Sequence, residues 1–323
     1  MWGVMVEFED HKILMLGLWG AVEAFGKYEN IMVDDLYDFT KSSRKKFKLA
    51  EHLNKYIDFD MSQWYGDWKV SVDRYDTIII SSGIRGRDMV EFIRDRNPSA
   101  RIIIYYENYY RPHERCAPEW YQGLGCEFYT FDPQNAKESN ITFYHYFYPY
   151  LDIAMAIKNK CDDYPMEQDV FFLGMDDGRF TFIKQLASTF KSSSVRAQLL
   201  VVKSKHQKYA KGDQEWILQD RMDYGESVMR ILRSRAVLDI AIPNQSGITL
   251  RPMEAAFLGK KLITSNRDIV RYPFYNDKQV YIIQDESMPK IKEFLESDIV
   301  PASMDCMEEY TPAGWLNNFF VDR

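Results

Sequence analysis

The chain has 323 residues, too many for one ordinary core and enough for two domains of typical size. Hydrophobic residues make up 46% and charged residues 28%, the balance of a soluble globular protein rather than a disordered or membrane-spanning one. A net charge of -7 leaves no basic excess to neutralise a phosphate backbone, which excludes nucleic acid as the expected partner.

Residues 12–17 (KILMLG) read as a buried strand ending in glycine, and Leu18-Trp19-Gly20 leads into a short amphipathic run over 21–28. This is the strand–loop–helix opening of a doubly wound domain. Residues 31–33 predict a second strand, with Asp34 and Asp35 at its carboxyl end. Residues 42–56 predict a helix capped by Ser42, with Phe47 and Leu53 at near-helical spacing. Its run Arg44-Lys45-Lys46-x-Lys48 reads either as a solvated face or as a patch for acidic headgroups or a phosphorylated acceptor. A strand over 77–80, a helix over 86–96 broken by Pro98, and a strand over 101–106 repeat at βαβ spacing. Glu107 and Asn108 then lie at the carboxyl edge of the sheet, where ligands bind in open α/β folds. A further strand is expected over 125–131. The aromatic tract 143–150 (FYHYFYPY) is expected to end the first domain and pack toward a cleft, and a polar linker follows over 159–168.

A second α/β domain opens with an apolar strand that delivers Gly174, followed by Asp176-Asp177-Gly178-Arg179 and a helix over 180–190. The glycines permit a phosphate near a helix N-terminus, with Arg179 supplying charge. Residues 198–202 predict a strand and 223–234 a helix. Residues 236–243 (AVLDIAIP) predict a buried strand, 250–257 a helix stopped by Gly259, and 261–266 a parallel strand reached by right-handed crossover. Unpaired amides and the positive end of the helix dipole meet in the loop 245–249 (QSGIT), which makes it an anion site. Gly247 allows close approach of a phosphate, Ser246 and Thr249 add hydroxyls, and Arg251 adds a planar fork. Glu254 follows one turn later, placed to accept from the two hydroxyls of a ribose. A last strand over 279–283, a helix over 288–295 and an aromatic amphipathic helix over 311–320 complete the chain.

The run Gly247-x-Thr249-Leu250-Arg251-Pro252-x-Glu254-Ala255, continued as Gly259-Lys260-Lys261-Leu262-Ile263-Thr264-x-Asn266, resembles the donor-sugar loop of GT-B glycosyltransferases, especially bacterial lipopolysaccharide, O-antigen and capsule enzymes. In the large retaining branch of that fold the loop is Glu-Gly-Phe-Gly-Leu-x-x-x-Glu-Ala. Its second glutamate, which holds the ribose, matches Glu254, while the first falls on Ser246. The resemblance covers about one tenth of the chain. It implies an α/β fold of two facing Rossmann-like domains with parallel sheets and an interdomain cleft. The expected divisions are an acceptor domain over 1–160, a donor domain over 161–300, and a C-terminal helix over 301–323 crossing back to the first domain. The resemblance also implies that Arg179 with Lys184 stands where the second domain's first loop carries Gly-Arg and a lysine, and that Tyr224 faces the nucleotide base.

Transfer of a sugar needs a departing diphosphate held by dipoles, amides and cations, which points to Gly247, Thr249, Arg251 and Arg179. No Asp-x-Asp stands at a strand end with a further ligand in reach, and the histidines and the four cysteines are scattered, so no metal and no cofactor are expected. An inverting enzyme needs a base, for which Glu23 and Glu107 are the candidates, and the stereochemical outcome stays open. No run reaches a transmembrane length and the N-terminus is acidic, so a cytoplasmic protein with peripheral contact at the inner face of a membrane is expected. The expected partners are a nucleotide-sugar donor and a saccharide or lipid-linked acceptor. The alternatives are a catalytically silent nucleotide- or sugar-binding protein of the same fold and a nucleotide-sugar epimerase.

Overall fold

The computed structural model describes residues 7–38, 44–54, 56–57, 59–83, 87–111, 114–160, 164–204, 207–242, 246–285 and 288–321. The expected cap Ser42, helix start Gly86 and loop residue Gln245 lie outside the described residues, as do Cys161, His113 and His206. Two compact units make up the chain: Met1–Pro149 together with Thr311–Arg323, and Tyr150–Tyr310.

The first unit follows from short Ile-, Leu- and Val-rich runs. Its elements are β1 (Ile13–Leu16), α1 (Ala21–Phe25), β2 (Ile31–Asp34), α2 (Arg44–Leu53), β3 (Thr77–Ser81), α3 (Asp88–Arg96), β4 (Arg101–Tyr106), β5 (Cys126–Thr130), α4 (Pro133–Ser139) and β6 (Thr142–Phe143). All six strands pair in parallel, in the order β2-β1-β3-β4-β5-β6. Because strand side chains alternate, Leu14, Leu16, Ile78, Ile80, Ile102 and Ile104 build one core while Ile13, Met15, Ile79, Ile103 and Tyr105 build the other. The helix α4 was not expected, although its signals are present in Asp132-Pro133. The Asp132 carboxylate accepts from the amides of Gln134 (2.9 Å) and Asn135 (3.0 Å), and proline occupies the first turn, where no amide is needed.

The second unit holds α5 (Leu151–Lys158), β7 (Gln168–Met175), α6 (Phe180–Ser192), β8 (Ala197–Val202), β9 (Ile217–Leu218), α7 (Tyr224–Leu232), β10 (Ser234–Asp239), α8 (Leu250–Leu258), β11 (Lys261–Thr264), β12 (Val280–Ile282) and α9 (Ile291–Glu296). Its six parallel strands run β12-β11-β10-β7-β8-β9. Both sheets are therefore doubly wound α/β layers, with their switch points between β1 and β3 and between β10 and β7. Gly259, at φ 67°, ends α8 in the left-handed conformation. Three lysines finish helices here by donating to terminal carbonyls: Lys158 to Phe257 (3.0 Å), Lys260 to Leu232 (2.6 Å), and Lys261 to Phe294 and Ser297.

The last helix, α10 (Pro312–Asn317), belongs to the first unit. Trp315 is fully buried against Phe25 (6.2 Å), Tyr105 (5.2 Å) and Phe147 (4.7 Å), and its indole donates to the His145 carbonyl at 3.0 Å. The tract read as facing a cleft thus places Tyr144, Tyr146 and Phe147 in the unit's own core around this tryptophan.

Candidate functional site

At the switch point of the second sheet, the loop after β7 and the loop after β10 stand side by side. The first turns through Asp177 (φ 42°) and Gly178 (φ 81°), and a side chain added at Gly178 would meet nothing within 4 Å. Asp176, 2% exposed, points its carboxylate back into the turn. One oxygen accepts from the amides of Gly178 (3.1 Å) and Phe180 (3.2 Å), and the other from the Tyr209 hydroxyl (2.7 Å). The amino end of α6 therefore already holds an anion of the protein's own.

Arg179 joins the two loops. Its guanidinium donates to the carbonyls of Ile240 (2.6 Å) and Met175 (2.7 Å) and touches Asp177 (3.3 Å), and the side chain is only 6% exposed. Burial first, and the neighbouring Arg251 charge second, hold its pKa below the usual arginine value. Arg251 is likewise directed inward. Its fork donates to the Leu173 carbonyl (Nε at 3.1 Å), lies over the Phe172 ring (5.0 Å) and sits 4.0 Å from Asp239. Gly174 is bare for this reason: a Cβ there would come within 2.6 Å of the Arg251 guanidinium and 2.9 Å of Phe172. Lys184, expected near phosphate, pairs with Asp213 at 2.7 Å.

The loop leading to α8 is organised by Asp239, which the sequence reading did not single out. Its signal was a lone carboxylate in an apolar strand. The side chain is 1% exposed and accepts from Thr249 Oγ1 (3.0 Å) and Thr264 Oγ1 (2.8 Å). Thr249 stands at the helix N-cap, yet its hydroxyl is turned to Asp239 and does not cap α8. Tyr272 and Asn266 support the loop from the adjoining segment, through the Ile248 amide (3.3 Å) and the Ser246 carbonyl (3.2 Å). Gly247 is buried, and Leu250 opens the helix that carries Arg251 and Glu254. Glu254 accepts from the Tyr224 hydroxyl at 2.9 Å, and the Tyr224 ring stacks on Tyr150 at 4.2 Å. Burial pushes the Glu254 carboxyl above its ordinary value, Asp239 adds to this, and Arg251 and the Tyr224 hydrogen bond oppose it. The structure thus brings Gly174, Gly178, Arg179, Ser246, Gly247, Thr249, Leu250, Arg251 and Glu254 together on β7, the loops after β7 and β10, and α8, with Tyr224 joined to them through Glu254.

In the first unit the two base candidates differ. Glu23 is exposed on α1. Glu107 ends β4 and ties the loop after β1 to the end of β3: it accepts from Ser81 Oγ (2.7 Å) and the Trp19 amide (3.0 Å), and lies 3.0 Å from the Tyr146 hydroxyl. That hydroxyl also donates to the Trp19 carbonyl at 2.5 Å, a forked contact that holds the loop after β1 against the end of β4. Burial pushes the Glu107 carboxyl above its ordinary value, against the hydrogen bonds from Ser81, Trp19 and Tyr146. Among the described residues, no group of three or more His, Cys, Asp or Glu side chains is placed to hold a metal ion, and no helix is long and apolar enough to cross a membrane.

No protein-family model and no curated protein sequence matches the chain. Solved structures resemble it at low identity. UDP-GlcNAc 2-epimerase from Methanocaldococcus jannaschii is 12% identical over 95% of this chain and 98% of its own, with a TM-score of 0.44. UDP-GlcNAc 2-epimerase from Neisseria meningitidis is 9% identical over 95% and 98%, with a TM-score of 0.45. An alpha-glucosyltransferase in complex with UDP and a DNA 13-mer is 12% identical over 97% and 91%, with a TM-score of 0.49. Likeness at this level says nothing of activity.

Proposed function

We propose that the chain is a GT-B-type glycosyltransferase that moves a sugar from a nucleotide-sugar donor to a saccharide or lipid-linked acceptor, of the kind used in bacterial surface polysaccharide synthesis. The observation that carries this reading is the loop after β10. At the sheet's switch point it enters α8 with the Thr249 hydroxyl withdrawn from the helix amides, and Glu254 stands one turn inside. In this reading the first amides of α8 face the diphosphate, with Gly247 beside it and Ser246 at the edge, while Glu254 takes the ribose hydroxyls in place of the Tyr224 hydroxyl. Arg179 and Arg251 act at one remove. Held on main-chain carbonyls, they fix the two loops and supply positive potential without touching the phosphates. Metal-independent transfer is part of the proposal, and the contact with a membrane follows if the acceptor is lipid-linked.

One observation favours a second reading, a silent nucleotide- or sugar-binding protein of the same fold: both arginine forks are occupied, and Ser246 stands where the related loops carry a carboxylate. Incubation with UDP-, GDP-, CMP- and dTDP-sugars and saccharide acceptors separates the two. Transfer or donor hydrolysis is expected; saturable binding without turnover supports the silent protein, and an altered sugar still attached to its nucleotide supports epimerisation. Absence of binding to every donor overturns the nucleotide site itself.

A further inference from the structure

The helix α2 rests on the first unit by one side only. Phe47 and Ala50 are buried, Phe47 against Tyr37 (5.1 Å) and Trp64 (5.8 Å), and the Asn54 amide closes the last turn onto the Ala50 carbonyl (2.8 Å). Past Leu53 the chain keeps turning, since the amides of Tyr56 (2.9 Å) and Ile57 (3.1 Å) both donate to the Leu53 carbonyl. Positions 49, 53 and 57 therefore succeed one another at four-residue steps on the outer side. All three are apolar, with Leu49 62%, Leu53 37% and Ile57 54% exposed, and Tyr56 beside them 72% exposed. Apolar side chains scattered singly over a surface need no explanation, but a stripe of this kind does.

The charge around the stripe is opposite to that of the whole molecule. Arg44, Lys45, Lys46 and Lys48 are all exposed on a helix whose one acid, Glu51, is half-buried, while the chain carries a net -7. A solvated face would place polar residues at 49, 53 and 57, and a nucleic-acid face would have no use for the stripe. Cations on long stems flanking exposed Leu and Ile fit an anionic bilayer surface. There the apolar side chains enter the acyl boundary and the ammonium groups stay among the headgroup phosphates.

We propose that α2 and the turn after it dock the protein on a membrane leaflet bearing anionic headgroups, through Leu49, Leu53, Tyr56 and Ile57 with Arg44, Lys45, Lys46 and Lys48 around them. The inference does not rest on the donor site, which lies on other elements. Flotation of the full chain with vesicles tests it, comparing phosphatidylcholine alone with phosphatidylcholine carrying about 30% phosphatidylglycerol, the second mimicking an anionic leaflet. Binding to the anionic vesicles only is expected, with release at about 1 M salt, where the screening length is about 3 Å. The pairs Lys45→Glu with Lys48→Glu, and Leu49→Asp with Ile57→Asp, are each expected to lower partitioning on the order of 10-fold or more. Both pairs alter exposed positions, so the unfolding midpoint and the donor affinity are expected to match the unaltered protein. Equal binding to both vesicle types, binding to neither, or unchanged partitioning in either pair overturns the proposal. Retention on a phosphorylated peptide without vesicle binding also overturns it and assigns the face to a protein partner.

Discussion

Asp239 decides what the loop after β10 presents. By accepting both threonine hydroxyls it leaves the helix amides uncapped by Thr249. The carboxylate assigned to the ribose is one turn further on. Glu254→Ala strips a charged acceptor from that position, and calorimetry is expected to show nucleotide affinity weakened by about 1 to 3 kcal/mol. Unchanged affinity in a folded variant would remove the site. Gly247, Thr249 and Glu254 could be grouped from the sequence because one short stretch carries all three, two ahead of α8 and one inside it. The destinations of Arg179 and Arg251 were not legible, because their acceptors, the carbonyls of Ile240 and Leu173, are 61 and 78 residues away in the chain. Glu107 gives a pH prediction of definite sign. Its folded pKa is raised above the ordinary 4.5, so the folded state binds its proton more tightly and the stability it contributes is present below 4.5 and lost as pH rises through the folded value. Glu107→Gln, neutral at every pH, is expected to flatten that part of the curve of unfolding free energy against pH. Curves of identical slope for the two proteins would refute it. Glu127, whose pKa Arg101 holds down through paired contacts of 2.6 and 2.7 Å, acts in the opposite sense, stabilising above 4.5 and fading as pH falls.

Among the elements, the long buried strands were the most legible, since runs such as Thr77–Ser81 and Arg101–Tyr106 are covered on both faces and need no alternation. The two-residue strands β6 and β9 carry no such signal; only their parallel neighbours define them. The helix α2 ends at Leu53 rather than 56, and α9 begins at Ile291 rather than 288, where Met288 and Lys290 both adopt positive φ. The helix α10 shows how few residues can complete a core. Trp315→Ala removes a fully buried indole that stacks on Tyr144 and edges onto Phe319, and is expected to cost about 3 to 5 kcal/mol. A denaturant midpoint lowered by less than the equivalent of about 1 kcal/mol would show that the tail contributes little.

For the molecule as a whole, strand–helix alternation announced two doubly wound layers, because each parallel connection requires a crossover helix. What alternation could not announce is that one unit is a single continuous stretch, whereas the other adds to its sheet a helix from a separate one. A fragment spanning 150–310 contains its whole sheet and the candidate nucleotide loop, and is expected to fold cooperatively and bind donor; a fragment spanning 1–149 lacks Trp315 and is expected to show no cooperative transition. Circular dichroism of the two, with thermal melts, checks both outcomes, and a cooperative melt of the shorter fragment would contradict the second. The same discontinuity bears on how the protein is made. Emerging from the ribosome amino end first, the chain offers its opening sheet long before the tryptophan that seals it, whereas the later-made sheet is whole as soon as its own residues are out. Order of birth and order of completion are thus reversed, and the earlier segment must wait, with part of its apolar surface open, for residues 311–323 to arrive.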